Sequence, residues 1–183
     1  MKASLLFAGL MLAVLPACSP NSNTDNSAAT AGPNANPAAG AGAEAPVQTS
    51  QLKGFHTNIE RATRANRNFR QVLYTGRHMQ LVLMSLKPGE EIGSEVHQGH
   101  DQFFRFEGGT GKCIINGHSY PVTDGDVIVA PAGSTHNVIN TDATKALQLY
   151  TIYAPPQHQD GIVRATKQEA EGNEAPFNGK TSE

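Results

Sequence analysis

The stretch PGEEIGSEVHQGHDQFFRFEGG, residues 88–109, places several polar side chains directly before the pair Phe103 and Phe104. Those that fall within eight positions are Glu95, His97, His100 and Gln102. In a β-strand, residues two apart point to the same side, so Glu95 and His97 are expected to face together. If that side is the interior of a β-structure, the two groups are costly to bury unless a divalent cation compensates them. The stretch therefore predicts a metal site.

A second stretch, GDVIVAPAGSTHNVIN at residues 125–140, supplies a further nitrogen ligand. His136 follows the tight turn PAG, and Gln102 opens the strand after the turn QGHD with an amide oxygen to offer. We therefore predict that one cation is bound by Glu95, His97, Gln102 and His136. The alternative is a metal-free barrel, with Glu95 turned to solvent and the two histidines hydrogen-bonded inside.

The chain around these stretches alternates short apolar runs with turn signals, which is typical of antiparallel strands in a sandwich or barrel. Asn116-Gly117 and Asp124-Gly125 are strong tight-turn signals, because both dipeptides accept positive φ. Only residues 163–173 look helical, and the last dozen residues are expected to be frayed. The expected strands are FRQVLYTG, MQLVLMSL, QFFRFE, GKCIING, SYPV, DVIVAPAG, HNVINT and ALQLYTIYAPP.

Both stretches resemble the two motifs of the cupin superfamily. The first motif is matched by Gly89, Glu95, His97, Gln102 and Gly109; the second is matched by Gly125, Pro131, Gly133, His136 and Asn140. The resemblance covers about residues 68–155. It implies an all-β fold, a single jelly-roll β-barrel, here followed by a short C-terminal helix. The expected domain is residues 51–165, with the helix and tail at 166–183.

The chain departs from the usual metal cupin in having Glu95 where a histidine is common and Gln102 where a glutamate is common. The set still carries one negative charge, because the carboxylate has moved along the motif. Two oxygen and two nitrogen donors suit one divalent ion, Mn²⁺, Fe²⁺, Ni²⁺ or Zn²⁺. The resemblance implies a small-molecule enzyme of the dioxygenase, sugar or keto-acid isomerase, or lyase type. The alternative is a non-catalytic periplasmic module that binds a ligand or a metal.

His100 is the candidate catalytic residue of the motif turn. His100 lies one residue away from the positions that the ligand spacing predicts, so we interpret it as an exposed turn residue. The alternative is an acid or base at the barrel mouth. The other histidines are expected at the surface: His56, His78, His118 and His158. Tyr150 and Tyr153 are expected to pack in the core, although either could line the cavity.

The N-terminal residues 1–18 have the features of a secretory signal, with one positive charge, an apolar run and a small residue before Cys18. Their end, LPAC, resembles the lipobox of bacterial lipoproteins, which implies lipid attached at Cys18. Ordinary cleavage with an incidental thiol is the alternative. Residues 19–50 contain almost no large apolar side chain and are expected to be a disordered tether. This order predicts a periplasmic domain anchored to a membrane of the cell envelope.

Cys113 is the second of the chain's 2 cysteines and is expected to be a buried, unreactive thiol on a strand. A disulfide to Cys18 is an alternative. It would join the tether to the core of the domain.

The whole chain has a net charge of −2, but residues 52–77 carry six lysines and arginines against Glu60 alone. We interpret this segment as a solvated arm; attraction to anionic head groups or to an acidic substrate is the alternative. No aromatic run interleaves with the arginines, so nucleic acid is not an expected partner. A homodimer that exchanges the strand NFRQVLYTG, residues 68–76, is a further prediction.

Overall fold

The computed structural model describes residues 52–183, and within them strands dominate. The predicted signal, tether and Cys18 lie outside this part of the chain. The elements are α1 (Ile59–Ala65), β1 (Arg70–Thr75), β2 (Gln80–Leu86), β3 (Glu95–Val96), β4 (Gln102–Gly108), β5 (Thr110–Ile115), β6 (His118–Thr123), β7 (Val127–Ala130), β8 (Thr135–Asn140), β9 (Leu147–Tyr153), β10 (Val163–Arg164) and α2 (Lys167–Gly172).

The strands form two antiparallel sheets. One has six strands in the order β10-β1-β2-β9-β4-β7, and the other has four in the order β3-β8-β5-β6. This is the all-β jelly roll with a short C-terminal helix that the sequence predicted. No helix among the described residues has the length and apolar content needed to cross a membrane.

The core lies between the sheets because alternate residues of each strand turn inward. Along β9 the pattern is regular: Leu147, Leu149, Thr151 and Tyr153 are buried, and the residues between them are partly exposed. On the neighbouring strand β4, Gln102 lies on the same face as the fully buried Phe104. The register pairs Gln102 with Tyr153 across the two strands. A polar end of the core is thereby created where β4 begins and β9 ends.

The predicted turn at Asn116-Gly117 is confirmed. Both residues have positive φ, 48° and 82°, which matches the twist of the flanking strands β5 and β6. The prediction for Cys113 is also confirmed, because its side chain is free and fully buried. Burial raises the pKa of the Cys113 thiol to about 11, so the reactive thiolate is scarce at neutral pH.

The ends of the domain differ from the sequence analysis in two respects. The segment expected to be a solvated arm is largely exposed, and Arg64 pairs with Asp124 at 2.7 Å, but the segment also contains an unexpected helix, α1, whose Asn58 cap accepts a hydrogen bond from the Arg61 amide. The helix was missed because it is short and is held by tertiary contacts through the buried Thr63. The C-terminal tail is not frayed, since the Ser182 amide donates to the Thr75 carbonyl oxygen.

The strand proposed for exchange between subunits, β1, is hydrogen-bonded on both sides within the chain, to β10 and to β2. Homodimer formation stays a prediction.

Candidate metal centre

The four predicted ligands are positioned by both sheets. Glu95 on β3 and His136 on β8 are direct partners in the antiparallel register, so their side chains share one face. His97 follows β3 by one residue, and its carbonyl oxygen accepts a hydrogen bond from the Gly133 amide, which extends the pairing. Gln102 comes from the other sheet, at the start of β4.

The ligand atoms converge as predicted. One side-chain atom each from Glu95, His97 and His136 lies within 4.8 Å of the others. The Glu95 carboxylate is 3.4 Å from His97 Nε2 and 3.9 Å from His136 Nε2. Gln102 Oε1 lies 2.9 Å from His136 Nε2. With bonds of about 2.0–2.2 Å, neighbouring ligand atoms around one cation are roughly 3 Å apart and opposite ones roughly 4 Å.

Neighbouring groups orient two of these side chains. Gln102 Nε2 donates to the buried hydroxyl of Thr151, which turns the amide oxygen of Gln102 toward His136. His136 Nδ1 lies 3.4 Å from the Ser134 carbonyl oxygen. A cation at Nε2 would leave the ring proton of His136 on Nδ1, facing that carbonyl, which is the usual arrangement for metal-binding histidines.

The electrostatics favour the charge states that bind metal. Burial by itself raises the pKa of Glu95, but His97, Arg70 and His136 together bring that pKa below its usual value, so the carboxylate is ionised. Burial lowers the pKa of His136, which keeps its ring neutral at neutral pH. His97 Nε2 is buried and has no hydrogen-bond partner among the described residues. A lone pair that lacks a partner beside a carboxylate fits a divalent cation.

The structure corrects the expected exposure of His100. Its side chain is only 8% exposed, and its ring stacks on His97 with centroids 4.6 Å apart. Burial lowers the pKa of His100, so this ring is also neutral at neutral pH. His100 therefore lies beside the candidate ligands, as its alternative interpretation as an acid or base at the barrel mouth requires. Its catalytic role stays a prediction.

His158 is a second correction, because it is not a surface residue. The buried Gln80 holds its backbone: Gln80 Nε2 donates to the His158 carbonyl and Gln80 Oε1 accepts from the His158 amide. The His158 ring lies edge-on to Tyr153, with centroids 5.2 Å apart, and its Nε2 is buried. Burial lowers the pKa of His158 to about 3.

Tyr153 was expected to be a core residue, with cavity lining as the alternative, and its core position is confirmed. It is buried and its ring lies edge-on to His97, with centroids 5.9 Å apart. The alternation along β9 places Tyr153 on the inward face, and that alternation was the signal available in the sequence. No comparable signal marks Thr151 or Arg70. Thr151 contacts Gln102 from a different strand, and Arg70 lines a pocket with Glu95 from a different strand.

A two-sheet barrel in which a carboxylate, two imidazoles and an amide oxygen come together has the architecture of the cupin class, with a candidate metal site in its interior. The family model described as "Cupin domain" matches residues 82–153, which contain all the predicted ligands. The chain belongs to the cupin superfamily.

Relatives agree with this assignment. The chain is 50% identical over 125 residues to the uncharacterised protein YrkC of Bacillus subtilis. The matched region is 64% of this chain and 66% of YrkC, so the chain spans slightly less than two thirds of that relative's length. It is 38% identical over 128 residues to the uncharacterised protein L612 of Acanthamoeba polyphaga mimivirus, covering 68% and 80% of the two chains. The crystal structure of BH2720 from Bacillus halodurans is similar with a TM-score of 0.64 and 43% identity, over 67% of this chain and 97% of that one.

Proposed function

We propose that the domain binds one divalent cation through Glu95, His97, Gln102 and His136 and acts with it on a small molecule. The observation that carries this proposal is the approach of the four donor atoms from two sheets: three within 4.8 Å of one another and Gln102 Oε1 at 2.9 Å from His136 Nε2. The donor set suits Mn²⁺, Fe²⁺, Ni²⁺ or Zn²⁺. Such an ion acts as a Lewis acid toward a carbonyl or carboxylate oxygen.

The surrounding residues support an enzyme more than a passive binder. His100 is neutral, nearly buried and unpartnered at Nε2, so it can accept or release a proton beside a molecule at the ligands. Tyr153 closes the same end of the core and limits the access of water. A neutral base beside an acidified substrate is the requirement of a keto-acid or sugar isomerase and of a lyase. These reaction types, with dioxygenases, are the classes that we propose.

Proton exchange tests this proposal. The purified chain, loaded with Mn²⁺ or Zn²⁺, is incubated with keto acids and keto sugars in D₂O. NMR then follows the loss of the substrate hydrogen on the carbon next to the carbonyl, and Mn²⁺ is removed before the spectra are recorded. We expect His100→Gln to slow this exchange by roughly 100-fold or more, the contribution typical of one acid–base group, with the bound metal unchanged. His56→Gln, at an exposed histidine, is the matched control.

Oxygen uptake by the Fe²⁺-loaded chain covers the dioxygenase class in the same series. Stoichiometric metal without exchange or oxygen uptake would contradict the enzyme and indicate the ligand-binding module. An unchanged rate in His100→Gln would remove His100 from the mechanism.

We further propose that Cys18 carries a lipid that holds the domain at a membrane of the cell envelope. The support is the sequence LPAC after an apolar run, followed by a segment with almost no large apolar side chain. Radiolabelled palmitate is expected to enter the wild-type chain during expression in a bacterium and not to enter a Cys18→Ser variant. Cys113→Ser is the control, because that thiol is buried in the domain. Equal labelling of wild type and Cys18→Ser would refute the anchor.

A further inference from the structure

A pocket of about 340 Å³ opens beside the candidate metal centre, between β1, the segment before β3, and α2. Its lining includes the ligand Glu95 on one side and Arg70 on another. The pocket therefore connects the predicted cation site with a permanent positive charge from a different strand.

The side chain of Arg70 has no polar partner among residues 52–183. Its Nε is buried without a hydrogen bond, the guanidinium makes no ion pair within 4.0 Å, and its Cζ lies 6.0 Å from the centroid of the Phe69 ring. A buried donor without a partner is unfavourable, especially on a charged group, so the buried Nε of Arg70 calls for an explanation. A ligand in the pocket would provide the missing acceptor.

The position of Arg70 is fixed by regular structure. The residue pairs with Met84 on β2 and with Arg164 on β10, so its backbone is held from both sides. Its neighbour Phe69 is buried in the core and also lines the pocket. Arg70 and the predicted ligand Glu95 line this same pocket, which places the two side chains on one side of the barrel.

Charge decides which ligand fits. A divalent cation held by one carboxylate leaves one positive charge at the ligands, and Arg70 adds a second. The acids Glu171 and Glu174 also line the pocket, but both are exposed and therefore screened by solvent. Lys167 Nζ is 3.6 Å from the Glu171 carboxylate and offsets it further.

We propose that Arg70 is the specificity-determining residue of the site and binds the carboxylate of a small organic acid beside the cation. The inference rests on the proposed metal-dependent function and names its substrate class. A guanidinium presents two parallel donors to the two oxygens of a carboxylate, which a neutral amide cannot match in charge.

Calorimetric titration of the purified full chain, reloaded with Zn²⁺, tests the inference. The probes are pyruvate, lactate and oxalate, with pyruvamide as the neutral match of pyruvate. We expect at least one carboxylate to bind, pyruvamide to bind at least about tenfold more weakly than pyruvate, and Arg70→Gln to weaken the carboxylate by at least about tenfold. Arg164→Gln is the matched control: it removes the same charge on the next strand, where the guanidinium already donates to the Asn173 carbonyl.

Metal content measured on the same samples separates the two proposals. Wild-type protein that holds no metal contradicts the proposed function. If wild-type protein holds one metal per chain but binds none of the three acids, the role of Arg70 is contradicted. The same conclusion follows if Arg70→Gln binds the acids as tightly as wild-type protein does; Arg70 is then a counter-charge for Glu95. Arg70→Lys is expected to restore part of the affinity, because it returns the charge without the paired donors.

Discussion

His136→Ala is expected to abolish stoichiometric metal binding. Wild-type chain, reloaded with Zn²⁺ and dialysed, should retain about one ion per chain, and the variant should retain almost none. The physical reason is that His136 Nε2 lies at the meeting point of the site, 2.9 Å from Gln102 Oε1 and 3.9 Å from the Glu95 carboxylate. Removing a directly coordinating nitrogen should cost more than the 10- to 100-fold in metal affinity that is typical for the outer partners of ligands.

Elemental analysis by mass spectrometry provides the measurement, and two companion variants make it interpretable. His118→Ala removes an exposed histidine on β6 and should leave the metal content unchanged. His136→Gln keeps a side chain of similar size in the buried position, so a loss of metal in a folded protein, checked by circular dichroism, cannot be assigned to unfolding. Retention of one ion by His136→Ala would show that the ligand set is wrong.

Gly109→Ala is expected to be among the most destabilising single changes in the domain. Gly109 has φ +87°, and a Cβ there would lie 2.4 Å from the Ala146 carbonyl oxygen and 2.9 Å from Leu147 Cα. The left-handed backbone costs about 1–2 kcal/mol for any residue with a Cβ. The clash is with backbone, which cannot rotate away, and overpacking of this kind adds about 1–3 kcal/mol. A loss of about 2–5 kcal/mol in the free energy of unfolding follows.

Gly89 supplies the matched control, because it is the other glycine of the first motif. Its φ is +74°, but a Cβ there would meet nothing within 4 Å. Gly89→Ala should therefore show only the backbone cost of about 1–2 kcal/mol. Urea denaturation of both variants measures the difference. Equal losses would mean that the left-handed backbone accounts for the whole effect at both positions. The close approach of the Ala146 and Leu147 backbone to Gly109 would then contribute nothing.

The architecture and the cluster of Glu95, His97 and His136 could be predicted from the sequence because their signals are local, and metal binding by this cluster stays a prediction. The strand period of two placed Glu95 and His97 on one side, and the turns at Asn116-Gly117 and Asp124-Gly125 separated the strands. The two motifs then brought in Gln102 and His136 through the cupin resemblance. The helix α1 gave no such signal, since a helix of 7 residues depends on its tertiary contacts rather than on its own propensity.

The surroundings of the site could not be predicted in the same way. His100 was expected in solvent because its spacing differs from that of the ligands, yet Tyr153 from β9 packs against it, with ring centroids 6.1 Å apart. Arg70 opens β1 and His158 follows β9, so the two residues are far apart in the sequence, and neither lies in a motif. Gln80 holds the segment of His158 from β2, a contact with no counterpart in the local pattern.

By itself, the sequence determined a jelly roll, the two motifs and the identity of four donor side chains. Only the tertiary structure decided that Arg70, His100, Tyr153 and His158 surround those donors, and that a pocket joins Arg70 to Glu95. The reason is that the direction of a side chain follows from the backbone period of its own strand. What covers that side chain depends on segments that are distant in sequence and come together only when the two sheets pack.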